Sequence, residues 1–535
     1  MMDAETSLRA TPDANPWRWV ARGLFALLVF GPLVALGAAV AQGVAARGVS
    51  TLAVMLPSAR QLVLFANSLA LALAVGASAT LIGVLCASAL WSWRSRAGRR
   101  LRWLLLVLVP VPPYVHALAW SLVGRGLDGW LALPGLPLDG WAASWWVHTM
   151  AFAPIGVAFA LVGLEGVEPA MMAAARLLRP DGTSLVRVGL PLAGPSLAAG
   201  AGLLVVFSLA DYSVPSLFHV NVYAVEIFAE YSASNDAAAA FLLAWPILVI
   251  AMAVVLASQS LVREAAMRRP RREQAWAVPP RLPAWLRWCQ RAGLFLLALQ
   301  ILVPLVTLVS LTTTWHNFVA AAISARQEIA FTAWVGVLAA AVSVPLGLAV
   351  APALGSATRS PRWWWALAMM PLAVPAPLVG IGLVTIWNHS AMPPVYGTWL
   401  MPVLAAIARF APLAAIALLA QVRRLDPALV DAARIIEGSR ARVWRRIVFP
   451  LVAPGLAVAA VIVLALTAGE LGATLIVAPP GSATLTLRIY NFLHYGATET
   501  VGGLCLVMTA LVAGTGALGA LAVFTGSRIR WGGPA

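Results

Sequence analysis

The chain has 535 residues, of which 61% are hydrophobic and 10% charged, and its formal net charge is +16. Soluble domains carry about 25% charged residues, so a water-soluble fold is excluded and a bilayer is the solvent this composition suits. All 36 basic residues are arginine, which excludes a P-loop, whose lysine must reach the nucleotide phosphates.

The N-terminus is polar up to Trp19, and the first apolar run, 21–42, has no clear small-residue cleavage site. It reads as a retained helix rather than a removed signal peptide. At about 20 apolar residues per span, further spans are expected at 61–90, 101–124, 142–164, 192–214 and 240–262. A basic stretch at 263–291, including Arg268-Arg269-Pro270-Arg271-Arg272, reads as a cytoplasmic linker. A second set of spans is expected at 292–314, 328–354, 363–388, 398–420, 451–475 and 500–525. The expected fold class is all-α integral membrane with about 12 transmembrane helices. A first six-helix repeat covers 1–265, the linker 266–291, and a second six-helix repeat 292–535.

With the N-terminus in the cytoplasm, 30 arginines fall in inside segments and five outside (Arg47, Arg60, Arg125, Arg326, Arg488), while Arg409 lies within an apolar run. That is the positive-inside pattern. It puts both termini in the cytoplasm and accounts for the positive charge without nucleic acid.

The halves match at a constant offset. Val167-Glu-Pro-Ala-Met-Met-Ala-Ala-Ala-Arg176 aligns with Leu425-Asp-Pro-Ala-Leu-Val-Asp-Ala-Ala-Arg434, with five of ten residues identical at an offset of 258. Ala153-Pro154 matches Ala411-Pro412 at the same offset, and Pro191-Leu-Ala-Gly-Pro-Ser-Leu197 matches Pro450-Leu-Val-Ala-Pro-Gly-Leu456 at 259. Six spans per half make this a parallel repeat about an axis normal to the membrane.

The best-matched segments are loops, although loops usually vary more than the elements they join. Each opens at Pro-Ala, runs through Ala173-Ala174-Ala175-Arg176 or Asp431-Ala432-Ala433-Arg434, breaks near Gly182 or Gly438, and closes at Pro191 or Pro450. Small alanines permit close helix approach, so each loop reads as a short surface helix facing the cytoplasm, a docking element without chemistry.

At these residues the chain resembles the ABC importer permeases, whose cytoplasmic loop carries a Glu-Ala-Ala…Gly…Ile-x-Leu-Pro signature. The second copy follows it with Asp431-Ala432-Ala433, Ile447, Phe449 and Pro450 but has Glu437 where the family has glycine, with Gly438 next. In the first copy Ala173 replaces the acid, Arg179-Pro180-Asp181-Gly182 fills the break, and the loop is one residue shorter. Within the family, Pro112-Pro113-Tyr114-Val115-His116-Ala117-Leu118-Ala119-Trp120, Asp211-Tyr212-Ser213-Val214-Pro215 and Gly469-Glu470-Leu471-Gly472-Ala473-Thr474 are similar to the ferric-iron type and its thiamine, phosphonate, polyamine and sulfate relatives. The resemblance implies a translocation pore rather than an enzyme, with no cofactor. It further implies two copies of a separate ABC ATPase docked on the loops, a periplasmic or extracellular solute-binding protein, and a place in the bacterial inner membrane, surrounded by lipid.

Asp211 and Glu470 are related by the 259 offset, each about 20 residues into the helix after its loop. Ionisable residues at such positions suggest function: a gate pair that attracts a cation or anchors the gate. The alternative is an acid that reaches the headgroups or caps the next turn. Arg409, a dozen residues into its span, needs a carboxylate or a water-filled cavity, and Glu470 is a candidate partner; a structural ion pair between helices would look the same. His116, His148, His219, His316, His389 and His494 lack ligand spacing. Cys86, Cys289 and Cys505 are scattered without metal or disulfide pattern. The tyrosines from Tyr490 to Tyr495 fit an interfacial aromatic belt. A secondary transporter of the major-facilitator kind also has six-plus-six parallel halves, but it has no reason to keep two matched Ala-Ala-Arg…Pro loops.

Overall fold

The computed structural model describes residues 16–92, 111–125, 139–267, 280–355, 365, 368–423, 425, 427–495 and 498–529. All regular structure among them is helical. The first half contains α1 (Pro16–Arg47), α2 (Ala59–Ser92), α3 (Pro113–Arg125), α4 (Gly140–Glu165), α5 (Pro169–Leu178), α6 (Leu190–Ala210), α7 (Tyr223–Ser234) and α8 (Trp245–Met267). The second contains α9 (Ala284–Thr312), α10 (Arg326–Gly355), α11 (Ala376–Trp387), α12 (Leu400–Val422), α13 (Pro427–Glu437), α14 (Phe449–Ala468), α15 (Leu485–Tyr495) and α16 (Thr498–Ile529).

Nine helices among the described residues are long and apolar enough to cross a membrane, or ten if Ala237–Leu243 and the start of α8, bent by 53°, count as one. Several expected boundaries move, each at a proline or a polar break. The 363–388 run is not one span: Met370–Ala373 forms a single tight turn and α11 starts only at Ala376. Pro371 and Pro375 remove backbone donors and disfavour α-helix at the residues before them, whereas Pro377 sits in the first turn of α11, where no donor is needed. Of the 101–124 run, 101–110 lies outside the described residues, and α3 begins after Pro112. The spans expected to reach 214 and 475 end at Ala210 and Ala468, just before Asp211 and Gly469-Glu470. Residues 268–279 of the expected linker are likewise outside the described residues, and its last part, from Ala284, belongs to α9.

Glycine sets the closest approaches. A Cβ on Gly83 of α2 would lie 2.4 Å from the Gly156 carbonyl carbon of α4, and one on Gly347 of α10 would lie 2.9 Å from the Ala415 nitrogen of α12. Such small-residue seams hold membrane helices together, because lipid gives apolar side chains no reason to prefer each other. The first helix of each half crosses to the other. A Cβ on Gly382 of α11 would meet the Pro32 carbonyl oxygen of α1 at 2.3 Å, and one on Gly293 of α9 would meet Leu85 of α2 at 2.8 Å. The largest core cluster therefore mixes halves, with Phe25, Val29, Val206 and Ala251 packed among Val335, Ile407 and Ala459.

At the ends of the helices away from the two loops, Arg60 at the start of α2 pairs with Glu226 of α7 at 3.0 Å. In the second half, Glu328 of α10 pairs with Arg488 of α15 at 2.5 Å. Arg47 likewise pairs with Asp236 at 2.8 Å.

Candidate functional site

Where α6 and α14 end, the chain leaves the helix and turns around a cavity of about 160 Å³. Its walls come from the start of α3 at Pro113-Tyr114 and from three interruptions in helical backbone: Ala210 to Ser213, Pro371 to Ala376, and Gly469 to Gly472. Phe152, Phe207, Phe410, Leu413 and Leu466 form an apolar collar. Irregular backbone inside apolar runs is tolerated where it lines a cavity or is buried in protein, and broken helices mark solute sites in other transporters.

Asp211 and Glu470 both reach this cavity, as does Arg409. Asp211 Oδ2 lies 2.8 Å from His148 Nε2 on α4 and accepts the Val214 N–H at 3.2 Å, while Oδ1 accepts from the Ser213 hydroxyl at 2.8 Å. Glu470 pairs with Arg409 of α12, and its Oε1 accepts the Ala473 N–H at 2.7 Å. Each acid thus does two jobs at once. It caps the short helical turn three residues on, and it meets a basic side chain from the helix preceding its loop. Arg409 sits 5.1 Å from the Phe410 ring centroid.

The two loops lie at the opposite ends of α6 and α14, which at about 1.5 Å per residue places them roughly 30 Å from the acids. In the first, α5 is anchored by Met172, fully buried against Leu185 and Leu286. Ala173 and Ala174 are exposed, Ala175 and Arg176 half-buried, and Pro191 exposed. Gly182 is buried because a Cβ there would lie 2.6 Å from Pro283 Cδ. Asp181 accepts from Arg176 Nε at 2.8 Å and Nη2 at 3.2 Å, and from the Arg281 backbone N–H at 2.5 Å. Burial opposes its charge, but the Arg176 and Arg281 hydrogen bonds prevail and hold the carboxyl below the usual carboxylate range.

In the second loop Asp431 and Arg434 are exposed and pair with each other at 3.0 Å. Ala432 is exposed, whereas Ala433 is buried among Val443, Val448 and Val452, so it anchors α13 rather than facing outward. Gly438 has φ +60, the left-handed cap that glycine provides at least cost; its one-residue displacement from the signature puts the glycine where the helix ends. Pro450 is exposed. Both loops then pass through a single π-helical turn, Leu185–Gly189 and Trp444–Val448, into the long helix.

No protein-family model matches the chain. Among curated proteins, a 2-aminoethylphosphonate transport system permease of Salmonella typhimurium is 24% identical over 156 residues, 29% of this chain and 57% of the relative. The spermidine/putrescine transport system permease of Escherichia coli is 29% identical over 201 residues, 37% of this chain and 73% of the relative. Its homologues are ABC importer permeases. The chain spans just over half the length of the phosphonate-system relatives.

Two features of this permease homologue escape a reading of its sequence. His148 is fully buried and takes the part on Asp211 that Arg409 takes on Glu470. The signal was present: the Ala153-Pro154 and Ala411-Pro412 match sets His148 one helical turn before the counterpart of Arg409. The second is a pair of exposed apolar dipeptides. Leu177 and Leu178 are 87% and 85% exposed, and Ile435 and Ile436, at the 258 offset, are 84% and 83% exposed. Neither Cys86 nor Cys505 approaches a partner thiol; both are buried and free, and Cys289 is exposed and free. Among the described residues no three His, Cys, Asp or Glu side chains cluster as metal ligands.

Proposed function

We propose that this chain is the permease subunit of an ATP-driven, binding-protein-dependent importer, built as two parallel repeats with both termini in the cytoplasm. The observation that carries the reading is the matched pair of exposed dipeptides, Leu177-Leu178 and Ile435-Ile436, each at the end of its loop helix. Apolar side chains so exposed, at corresponding points of two basic loops, call for a protein partner. Two ATPase subunits, one per loop, fit that need, and a solute-binding protein serves the opposite face. ATP binding draws the ATPases together; the loops transmit this to α6 and α14, whose far ends carry Asp211 and Glu470. The loops are the element through which ATP shifts the equilibrium between inward- and outward-open states, since a shift needs contacts that differ between them.

Of the cargoes the resemblance implies, phosphonate and polyamine systems are the ones in the names of the relatives. They are preferred here to ferric iron, which no relative's name supports. A secondary transporter is disfavoured by the same relatives. The test is purification of the tagged chain from its native membrane. An ATPase at two copies per chain is expected, lost on Leu177→Asp with Ile435→Asp while the chain stays folded. Uptake by the chain alone, without ATP, would refute the proposal.

A further inference from the structure

The two acid–base pairs around the cavity are built in opposite senses. In the first half the acid faces the cavity: the Asp211 side chain is 21% exposed, while His148 behind it is 0% exposed. In the second the base faces it: Arg409 is 21% exposed and Glu470 behind it 4%. Glu470 also lines the cavity but lies almost wholly behind Arg409, so Asp211 and Arg409 are the charged side chains most open to it, and they act on each other electrostatically. Tyr212 lines the same cavity, is 5% exposed, and its hydroxyl has no hydrogen-bond partner among the described residues, yet it lies within electrostatic reach of both Asp211 and Arg409.

We propose that this cavity is a transit site for a small zwitterion, whose ammonium meets Asp211 and whose oxyanion meets Arg409, with the Tyr212 hydroxyl completing the polar contacts. The proposal rests on the importer reading and narrows its cargo. About 15 Å³ per water-sized group gives the cavity room for roughly ten non-hydrogen atoms, so volume admits many solutes and charge decides. A di- or polyamine has nothing to offer Arg409 and is repelled by it. A simple anion is repelled by Asp211. A zwitterion offers an opposite charge to both Asp211 and Arg409 while His148 and Glu470 stay in place behind them, so neither cavity-facing charge has to meet a like or uncharged group. Because every cavity charge already has a partner, such a site binds weakly enough to release, as a transit site must.

The full chain in lipid nanodiscs, without ATPase or binding protein, is titrated with 2-aminoethylphosphonate, putrescine and methylphosphonate, reading heat and tryptophan fluorescence. Saturable binding of the aminophosphonate is expected, at least tenfold tighter than either of the others. Asp211→Asn and Arg409→Gln should each weaken it about tenfold or more, the loss of one charge-assisted contact. If Arg409→Gln alone fails to fold, Arg409→Gln with Glu470→Gln removes the buried charge together with its partner and should fold yet still lose binding. Putrescine binding as tightly as the aminophosphonate, no binding by any of the three, or aminophosphonate binding untouched by these variants would overturn the proposal. ATPase co-purification is unaffected by any of these outcomes, so the importer reading stands or falls separately.

Discussion

Asp181→Ala tests whether the first loop is fastened to the start of α9. Asp181 is 13% exposed at its side chain and takes two hydrogen bonds from Arg176 and one from the Arg281 backbone. Hydrogen bonds to charged groups are worth about 1.5–3 kcal/mol each. One carboxylate shares three of them near a surface, and Arg176 regains some water, so the combined loss is set at about 2–4 kcal/mol. At about 1.4 kcal/mol per tenfold, local opening should rise from about 30-fold to several hundred-fold. Hydrogen exchange at the amides of 181–189 and 281–287 should accelerate by that factor, with those of α13 unchanged. On the importer proposal, transport should also become poorly coupled to ATP hydrolysis, because Pro283 and Leu286 pack the loop against the start of α9. Exchange within threefold of the parent would refute the fastening. The pH dependence follows from the depressed carboxyl. Its stabilisation is complete above about pH 4 and is lost only as pH falls through the lower folded-state value.

Gly382→Ala places a methyl against the Pro32 carbonyl, so α1 must move off α11; a loss of about 1–3 kcal/mol should appear as a lower unfolding midpoint of the purified chain. Glu328→Arg should destabilise the contact between α10 and α15, and adding Arg488→Glu should recover most of the loss. A double variant no better than the single one would mean the pair, 19–21% exposed at its side chains, does not brace α15.

Much of the architecture was legible because spans and loops are written in local signals. Apolar runs of span length, arginine-rich connections and a fixed offset need no knowledge of the fold. The expected 363–388 span failed where Pro371 and Pro375 outweighed hydrophobicity, a signal visible in the sequence but overruled by length. Arg409 and Glu470 could be paired from the sequence since each was a lone charge in an apolar run. His148, like the other histidines, fails a test of metal-ligand spacing, which does not look for a carboxylate partner. The opposed facing of the two acid–base pairs could not be read at all: which member of a pair looks into the cavity depends on the rotation of α4 and α12 against α6 and α14. The fastening of Asp181 to Arg281 joins residues 100 apart through a backbone N–H, to which no side-chain identity points.

The crossing of α1 onto α10, α11 and α12 also has a consequence for synthesis. α1 is the earliest of the described helices to be made, and although Asp236 and Ala251 meet it from the first half, its partners α10, α11 and α12 are encoded between Arg326 and Val422. At about 5–20 residues per second, it waits in the bilayer for roughly 20–75 s before they arrive. Lipid is as apolar as its eventual neighbours, so the wait is harmless, but the partners must be delivered nearby. A single chain guarantees that delivery, whereas two separate polypeptides would have to meet by diffusion. α9 faces the opposite situation, since the α2 surface that receives it has been made before it leaves the ribosome.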